Sequence, residues 1–238
     1  MPAYEKALHK IFRFYHTRNF FIRTLFFDRE FIPVATKMEA TYGILMNPTN
    51  AQEHVPEAER TNRVIKERIR AGFHSLPFQA IPRLMVIYLV IEVTRKLNFF
   101  PTRGGVSKRY SPREILTGHK VEYQKQCAIQ QFSYVLAHDE PQPSNAPTAR
   151  AIDCIYLRPL STQQGGHELM NLHTGKVITR RKVTVAPMTK AIIQAVEQMA
   201  ESQGFKGLKI QAKTGQILWD SAWIAGVDYQ EDSDDEDE

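Results

Sequence analysis

The sequence predicts an α/β protein made of two unlike parts and a charged tail. As far as about residue 100, helical patterns of apolar residues alternate with short β-branched and aromatic runs. Residues 118–187 contain only short strand-like runs, which predict a small β-barrel or meander. A segment rich in glycine, proline and basic residues, 99–112, separates the two parts, and residues 228–238 form an acidic tail that is predicted to be disordered.

Four helices and two strands are predicted in the first part. Their order is helix 3–18, strand 20–27, helix 34–43, strand 44–47, helix 56–74 and helix 82–98. Gly43 suits the residue that ends a helix, and Pro56 suits the first turn of the next one. The last helix contains the most apolar run of the chain, LMVIYLVI, which is too short to cross a bilayer and predicts a buried helix.

Two faces are predicted on the first helix, one apolar and one basic. The apolar face consists of Tyr4, Leu8, Ile11 and Tyr15, and the basic face consists of Lys6, Lys10 and Arg13. His9 and His16 have no cysteine partners in a zinc-binding pattern, so they are expected to be ordinary helix residues.

Short strands dominate the second part. The strand-like runs are IQQFSYVLAH, AIDCIYLRP and HELMNLHTGKVITRRKVTV. The third run predicts a hairpin around His173-Thr174-Gly175. A helix over 189–203 and a further hairpin in LKIQAKTGQILW follow before the acidic tail.

Composition limits the class of protein and of partner. The chain has 238 residues and two cysteines without a CxxC pair, which argues against a zinc knuckle or a disulfide framework. No signal peptide is recognisable, so the nucleus or the cytoplasm is expected and secretion is not. The net charge of +5 combines the tail, which has eight acidic and no basic residues, with residues 1–227, which carry 31 basic and 18 acidic residues. A body with a net charge of +13 predicts a polyanionic partner, DNA or RNA, although surplus surface lysine would give the same balance.

One helix combines a carboxylate with a row of basic side chains. In HVPEAERTNRVIKERIRA, Glu59, Arg63, Lys66 and Arg70 are spaced four, three and four residues apart, which gathers them on one helical face. Enzymes that transfer phosphoryl groups on DNA commonly hold two divalent metals between carboxylates. Asp28 at the end of the predicted strand and Glu59 fit that pattern. Taken alone, this pair is also explained by a solvated surface helix on which Glu59 forms salt bridges.

A second basic stretch lies near the end of the predicted β module. TRRKV places Arg180, Arg181 and Lys182 on the last strand, where they are candidates for phosphate contacts. Lysine and arginine that keep an edge strand soluble would give the same pattern, so both interpretations stay open.

Three segments together resemble the integrase region of copia-type LTR retrotransposon polyproteins. They are FDREF, HVPEAERTNRVIKERIRA and FPTRGGVSKRYSPREILTGHKVEY. In that family a D-x-G-x-E-F-like segment carries the second acid of a D,D-E site, and an ER-x-NR-x-(I/L)-KE helix carries the third. An SP-x-E-(I/L)-x-TG segment then leads into an SH3-like β module, whose end the run LMNLHTGKVITRRKVTV resembles. The resemblance covers roughly residues 20–187.

The resemblance implies a fold, a metal and an activity. Asp28 would be the second catalytic acid and Glu59 the third, and both would bind Mg²⁺ or Mn²⁺ in a complete enzyme that integrates DNA. The implied domains are the C-terminal part of a ribonuclease-H-like integrase core (1–100), a linker (101–117), an SH3-like β-barrel (118–187), a helix with a hairpin (188–227) and the acidic tail (228–238). A homo-oligomer or other polyprotein segments would be further partners, and a membrane would not.

The departures from the family imply an incomplete site. Asp28 is the first aspartate of the chain, so no residue matches the family's first acid, and Arg29 places a positive charge beside the proposed metal ligand. We therefore expect a truncated piece of a polyprotein, marginally stable in its first half and inactive by itself, which binds one metal loosely at best.

Three hypotheses follow. The chain is a polynucleotidyl transferase that a longer chain completes, a nucleic-acid-binding remnant without catalysis, or a protein-interaction module derived from a retroelement. The missing acid favours the second.

Overall fold

A computed structural model describes residues 2–27, 29–49, 56–138, 150–160, 165–205, 209–211 and 217–220. The acidic tail lies outside these residues, as does Asp28. The chain divides into two compact units. The N-terminal unit consists of Met1–Arg68 and Thr94–Val121, and the C-terminal unit of Ile69–Val93 and Glu122–Glu238.

The N-terminal unit begins with a helix followed by a parallel strand–helix–strand arrangement. Its elements are helix α1 (Pro2–His16), strand β1 (Thr24–Phe27), a 3₁₀ turn (Arg29–Phe31), helix α2 (Ile32–Tyr42) and strand β2 (Leu45–Pro48). Strands β1 and β2 pair in parallel, from Thr24 opposite Leu45 to Phe27 opposite Pro48. Gly43 ends α2 in the left-handed conformation at φ 63°, as its sequence position predicts. Strand β1 is shorter than predicted, because residues 20–23 precede it in irregular structure.

The core of the N-terminal unit is built around Phe12. This residue is 1% exposed and packs with Val34, Met38 and Ile44, which are also buried. The predicted apolar face of α1 is therefore rotated, since Tyr4 and Ile11 remain about half exposed, at 55% and 47%. The physical reason is that α2 and the two strands decide which side of α1 is covered, and they cover Phe12 at the edge of the predicted apolar face.

Helices α3 (Pro56–His74) and α4 (Arg83–Leu97) follow, with bounds at or within one residue of those predicted. The predicted buried helix α4 is covered on one side only. Its buried residues are Met85, Leu89 and Glu92, whereas Ile87, Val90 and Ile91 are 37–44% exposed.

A short helix that the sequence analysis did not predict, α5 (Pro112–Thr117), lies in the motif SPREILTG. Ser111 Oγ accepts a hydrogen bond from the backbone N–H of Glu114 at 3.1 Å, and Gly118 ends the helix at φ 71°. Proline in the first turn and this capping bond explain why a helix starts at this motif.

The C-terminal unit contains a five-stranded antiparallel sheet. Helix α6 (Tyr123–Gln126) precedes it, and its strands are β3 (Tyr134–His138), β4 (Ala151–Pro159), β5 (His167–Asn171), β6 (Val177–Arg180) and β7 (Val183–Val185). The strand order is β6-β5-β4-β3-β7, so β6 and β7 are the two edges. Of the predicted barrel or meander, the described strands form the open sheet of a meander and not a closed barrel, because β6 and β7 do not pair with each other.

The predicted hairpin at His173-Thr174-Gly175 is confirmed. It joins β5 to β6, and Asn171 Oδ1 accepts hydrogen bonds from the backbone N–H groups of His173 and Thr174 at 2.8 and 3.1 Å. Beyond Arg181 and Lys182 the chain leaves this hairpin, because β7 pairs with β3.

The core of the sheet lies along β3, β4 and β5. The fully buried side chains that pack together there are Val135, Ala137, Cys154, Tyr156 and Leu169. Burial raises the pKa of the Cys154 thiol to about 11, and Cys127, the other cysteine, is exposed. Helix α7 (Lys190–Ser202) adds Val196 and Ala200 to the buried residues. A last pair of strands, β8 (Lys209–Gln211) and β9 (Ile217–Asp220), is antiparallel and confirms the second predicted hairpin.

A charged cluster holds β4, β5 and α4 together. Arg158 follows a register shift in β4, and its Nε donates a hydrogen bond to Glu168 Oε2 on β5 at 2.5 Å. The Arg158 guanidinium also lies 5.3 Å from the centre of the Tyr88 ring on α4. Tyr88 hydrogen-bonds the Glu168 carboxylate, and Glu92, 3% exposed, interacts with the Arg158 charge. This arginine therefore compensates the Glu168 carboxylate, which is largely removed from water.

Tyr134 provides a test of the sheet's geometry. Its hydroxyl donates to Asp153 Oδ1 at 2.5 Å, and this bond together with burial raises the pKa of Tyr134 to about 12 from its ordinary value of 10.0. Because the fold favours the protonated phenol, this contribution to stability is present below pH 10 and is lost as the pH rises toward 12. We expect Asp153→Asn to lower the Tyr134 pKa toward 10.0, as measured by NMR titration of ¹³C-labelled tyrosine. An unchanged titration of Tyr134 would contradict the bond.

No helix in the described part of the chain is long and apolar enough to cross a lipid bilayer.

Candidate nucleic-acid interface

Helix α3 carries the predicted acidic and basic stripe on its exposed surface. Glu59, Arg63 and Lys66 are all exposed, and their spacing on this continuous helix places them on one face. Arg60 and Arg68 are also exposed, on other sides of the helix. Every side chain over residues 58–63 is accessible, because burial on this helix begins only at residues 64 and 65. The helix can therefore approach a large partner with its N-terminal half.

Arg70 differs from the other members of the stripe. Its side chain is partly buried, and its Nε atom is inaccessible and has no hydrogen-bond partner among the described residues. Arg70 lies beside a covered side of α3, since Ile69 and Phe73 on the neighbouring turns are buried. Arg63 and Lys66 are therefore more accessible to a partner than Arg70 is.

The described side chains do not supply the donor set of a two-metal site. Asp28, the predicted partner of Glu59, lies outside the described residues, so the distance between the two carboxylates is not defined. Among the residues that are described, no three His, Cys, Asp or Glu side chains gather into a possible metal site. The nearest charged residues that share the face of Glu59 on α3 are cations.

The second predicted basic stretch does not lie on one strand, because β6 ends at Arg180 and β7 begins only at Val183. Arg181 and Lys182 form the connection between them. Arg181 and Lys182 are exposed, and the backbone carbonyl of Lys182 accepts a hydrogen bond from the N–H of His138 at 3.1 Å. Arg180 is half-buried and donates from Nη1 to the carbonyl of Thr179 at 2.9 Å. The sheet thus fixes the backbone of this connection while leaving two cationic side chains accessible.

A third basic surface, which the sequence analysis did not recognise as a site, lies on α1. An open groove of about 520 Å³ is lined by Lys6, His9, Lys10, Arg13, His16, Thr17 and Tyr42. The signal in the sequence was the basic face of this helix, combined with the two histidines that lie beside it. The sequence signal is incomplete because Tyr42, which also lines the groove, belongs to α2. Folding is needed to bring Tyr42 against α1.

No protein-family model matches the chain, and no curated protein matches it.

Proposed function

We propose that this chain is a nucleic-acid-binding piece of a retrotransposon-type integrase, without catalysis of its own. The observation that carries the proposal is the exposed face of α3, where Arg63 and Lys66 follow Glu59 at helical spacing. Lysine and arginine side chains at this spacing can neutralise successive phosphates. Positions 1–227 carry 31 basic and 18 acidic residues, and this positive charge also favours binding to a polyanion.

Topology supports the family assignment. The parallel pair β1 and β2, joined through α2 and followed by α3, is the arrangement expected for part of a ribonuclease-H-like core. In the C-terminal unit, four strands form a meander and the fifth strand returns beside the first. This arrangement is expected for an SH3-like module, which is a small and partly open barrel. On this proposal the partner is DNA or RNA, in the nucleus or the cytoplasm.

Metal-dependent strand transfer belongs to the complete enzyme on this proposal. Mg²⁺ or Mn²⁺ would be held there by Asp28, Glu59 and an acid that this sequence does not contain. Glu59→Gln removes a negative charge beside the expected phosphates. Metal-free binding of nucleic acid should therefore be kept or strengthened in that variant.

The proposal is tested by removing two charges from one face of α3. Arg63→Gln with Lys66→Gln should weaken duplex DNA binding and lower the slope of log affinity against log salt by about 1.8, at about 0.9 for each phosphate that is no longer neutralised. The matched control is Arg60→Gln with Arg68→Gln, which removes the same charge from exposed positions on the same helix. Fluorescence anisotropy titrations at several salt concentrations give both slopes. Equal slopes in the two double variants would show that only total charge matters.

A protein-interaction module is the second candidate function. It is favoured by the exposed apolar side of α4, where Ile87, Val90 and Ile91 lie 37–44% exposed. If the wild-type chain shows no salt-dependent affinity for DNA or RNA, this second candidate replaces the first.

A further inference from the structure

The groove on α1 concentrates positive charge. Lys6, Lys10 and Arg13 are exposed, and their spacing of four and three residues places them side by side on the helix. Like charges at this spacing repel one another and destabilise a helix. An anion bound between them would relieve that repulsion.

The acid beside this groove is already engaged. Glu5 forms an ion pair with Lys37 of α2, and its Oε1 lies 3.7 Å from His9 Nε2. The hydrogen bond from Lys37 lowers the pKa of Glu5. The three cations of the groove form no ion pair within the described part of the chain, so their charge is available to a ligand.

Flat rings lie beside the cations. Tyr42 stacks on the buried Phe12, with ring centres 4.8 Å apart and planes inclined by 23°. Its hydroxyl is 2.6 Å from His9 Nδ1, and the His16 ring packs edge-on at 5.7 Å. These contacts fix the rings in place. A positively charged groove with fixed rings is the combination that binds single-stranded nucleic acid, through phosphates on the cations and bases on the rings.

We propose that this groove binds a segment of single-stranded nucleic acid, with phosphates on Lys6, Lys10 and Arg13 and a base against the rings of Tyr42 and His16. Its volume of about 520 Å³ is within the range that ligands of nucleotide size occupy. The inference rests on the proposed function and adds to it a second binding surface, separate from the α3 face, and a preference for unpaired strands.

The test compares two triple variants of the full chain. Lys6→Gln, Lys10→Gln and Arg13→Gln together should lower the salt slope for an oligonucleotide of roughly 12 unpaired nucleotides by about 2, at about 0.7 per phosphate. The control, Arg103→Gln, Lys108→Gln and Lys120→Gln, removes the same charge from exposed positions outside the groove and should change the slope much less. Equal slopes in the two variants would contradict binding of the oligonucleotide in the groove. An equal loss by the groove variant on a duplex of the same length would overturn the preference for single strands.

A second measurement separates this inference from the proposed function. Titration of the ¹⁵N-labelled chain with inorganic pyrophosphate at low salt should move amide signals of α1 and Tyr42, and the groove variant should not show these changes. Absence of such changes in the wild type would overturn the phosphate site directly. A wild-type chain that binds no oligonucleotide would overturn the proposed function, whereas binding with an unaffected groove variant overturns the groove alone.

Discussion

Phe12→Ala is expected to destabilise the N-terminal unit by about 3–5 kcal/mol, the usual cost of removing a buried aromatic side chain. Phe12 is 1% exposed, stacks on Tyr42 and packs against the buried residues of α2. Alanine at this position would leave a cavity beneath three elements at once. A loss of this size is a large share of the roughly 5–15 kcal/mol that keeps a typical domain folded.

Amide hydrogen exchange measures this effect separately in each unit. Protection in α1, α2 and β2 should fall steeply, and the sheet of the C-terminal unit should change little. The control is Phe14→Ala on the same helix, because Phe14 is 41% exposed and contacts chiefly the guanidinium of Arg18 and the ring of Tyr15. That variant should lose about 1 kcal/mol or less. Equal losses of protection in both variants would contradict the position of Phe12 in the core.

Arg158→Met is expected to destabilise the C-terminal unit by about 2–3 kcal/mol, because the Glu168 carboxylate loses the cation that compensates it. The Glu168 side chain is 15% exposed, so water replaces the guanidinium poorly. Methionine keeps much of the apolar length of the arginine side chain. The loss of stability should therefore come from the missing charge and its hydrogen bonds, and not from lost packing.

The pH dependence of this loss identifies its cause. The hydrogen bond from Arg158 lowers the pKa of Glu168 below its ordinary 4.5. The contribution of Glu168 to stability is therefore present above pH 4.5 and is lost as the pH falls through the lowered pKa. Urea unfolding of wild type and variant should differ most near neutral pH and converge in acid.

An exposed ion pair of the same length is the control. Lys125 and Glu122 are 2.5 Å apart, but their side chains are 67% and 62% exposed. Lys125→Met should cost less than about 1 kcal/mol, because water screens the pair. A similar cost for Arg158→Met would show that the buried cluster contributes no more than a surface pair.

Regular features of the fold could be predicted because their causes are local. Helix α3 follows from Pro56 and its periodicity, Gly43 ends α2, and the turn at Gly175 joins two strands. Helix α5 could have been predicted in the same way, since Ser111 and Glu114 have the spacing of a capping box. The β module could be predicted as strands, but not the pairing of β7 with β3, which joins segments about fifty residues apart.

The candidate site was predicted only as far as one helix allows. The shared face of Glu59, Arg63 and Lys66 follows from helical geometry alone. The burial of Arg70 does not, because it depends on what covers Ile69 and Phe73. The groove on α1 was missed because one of its walls includes Tyr42, which is distant in sequence.

The position of Cys154 gives the chain a built-in chemical reporter. Thiol reagents attack the thiolate, and Cys154 is fully buried in β4 with a raised pKa, whereas Cys127 is exposed. In the folded protein one label should therefore add quickly, at Cys127. A second label can add only when β4 separates from its neighbours, so its rate of attachment counts openings of the sheet. Mass spectrometry of the two labelling steps would then follow the stability of the C-terminal unit without denaturant, in the same β-strand that carries Arg158.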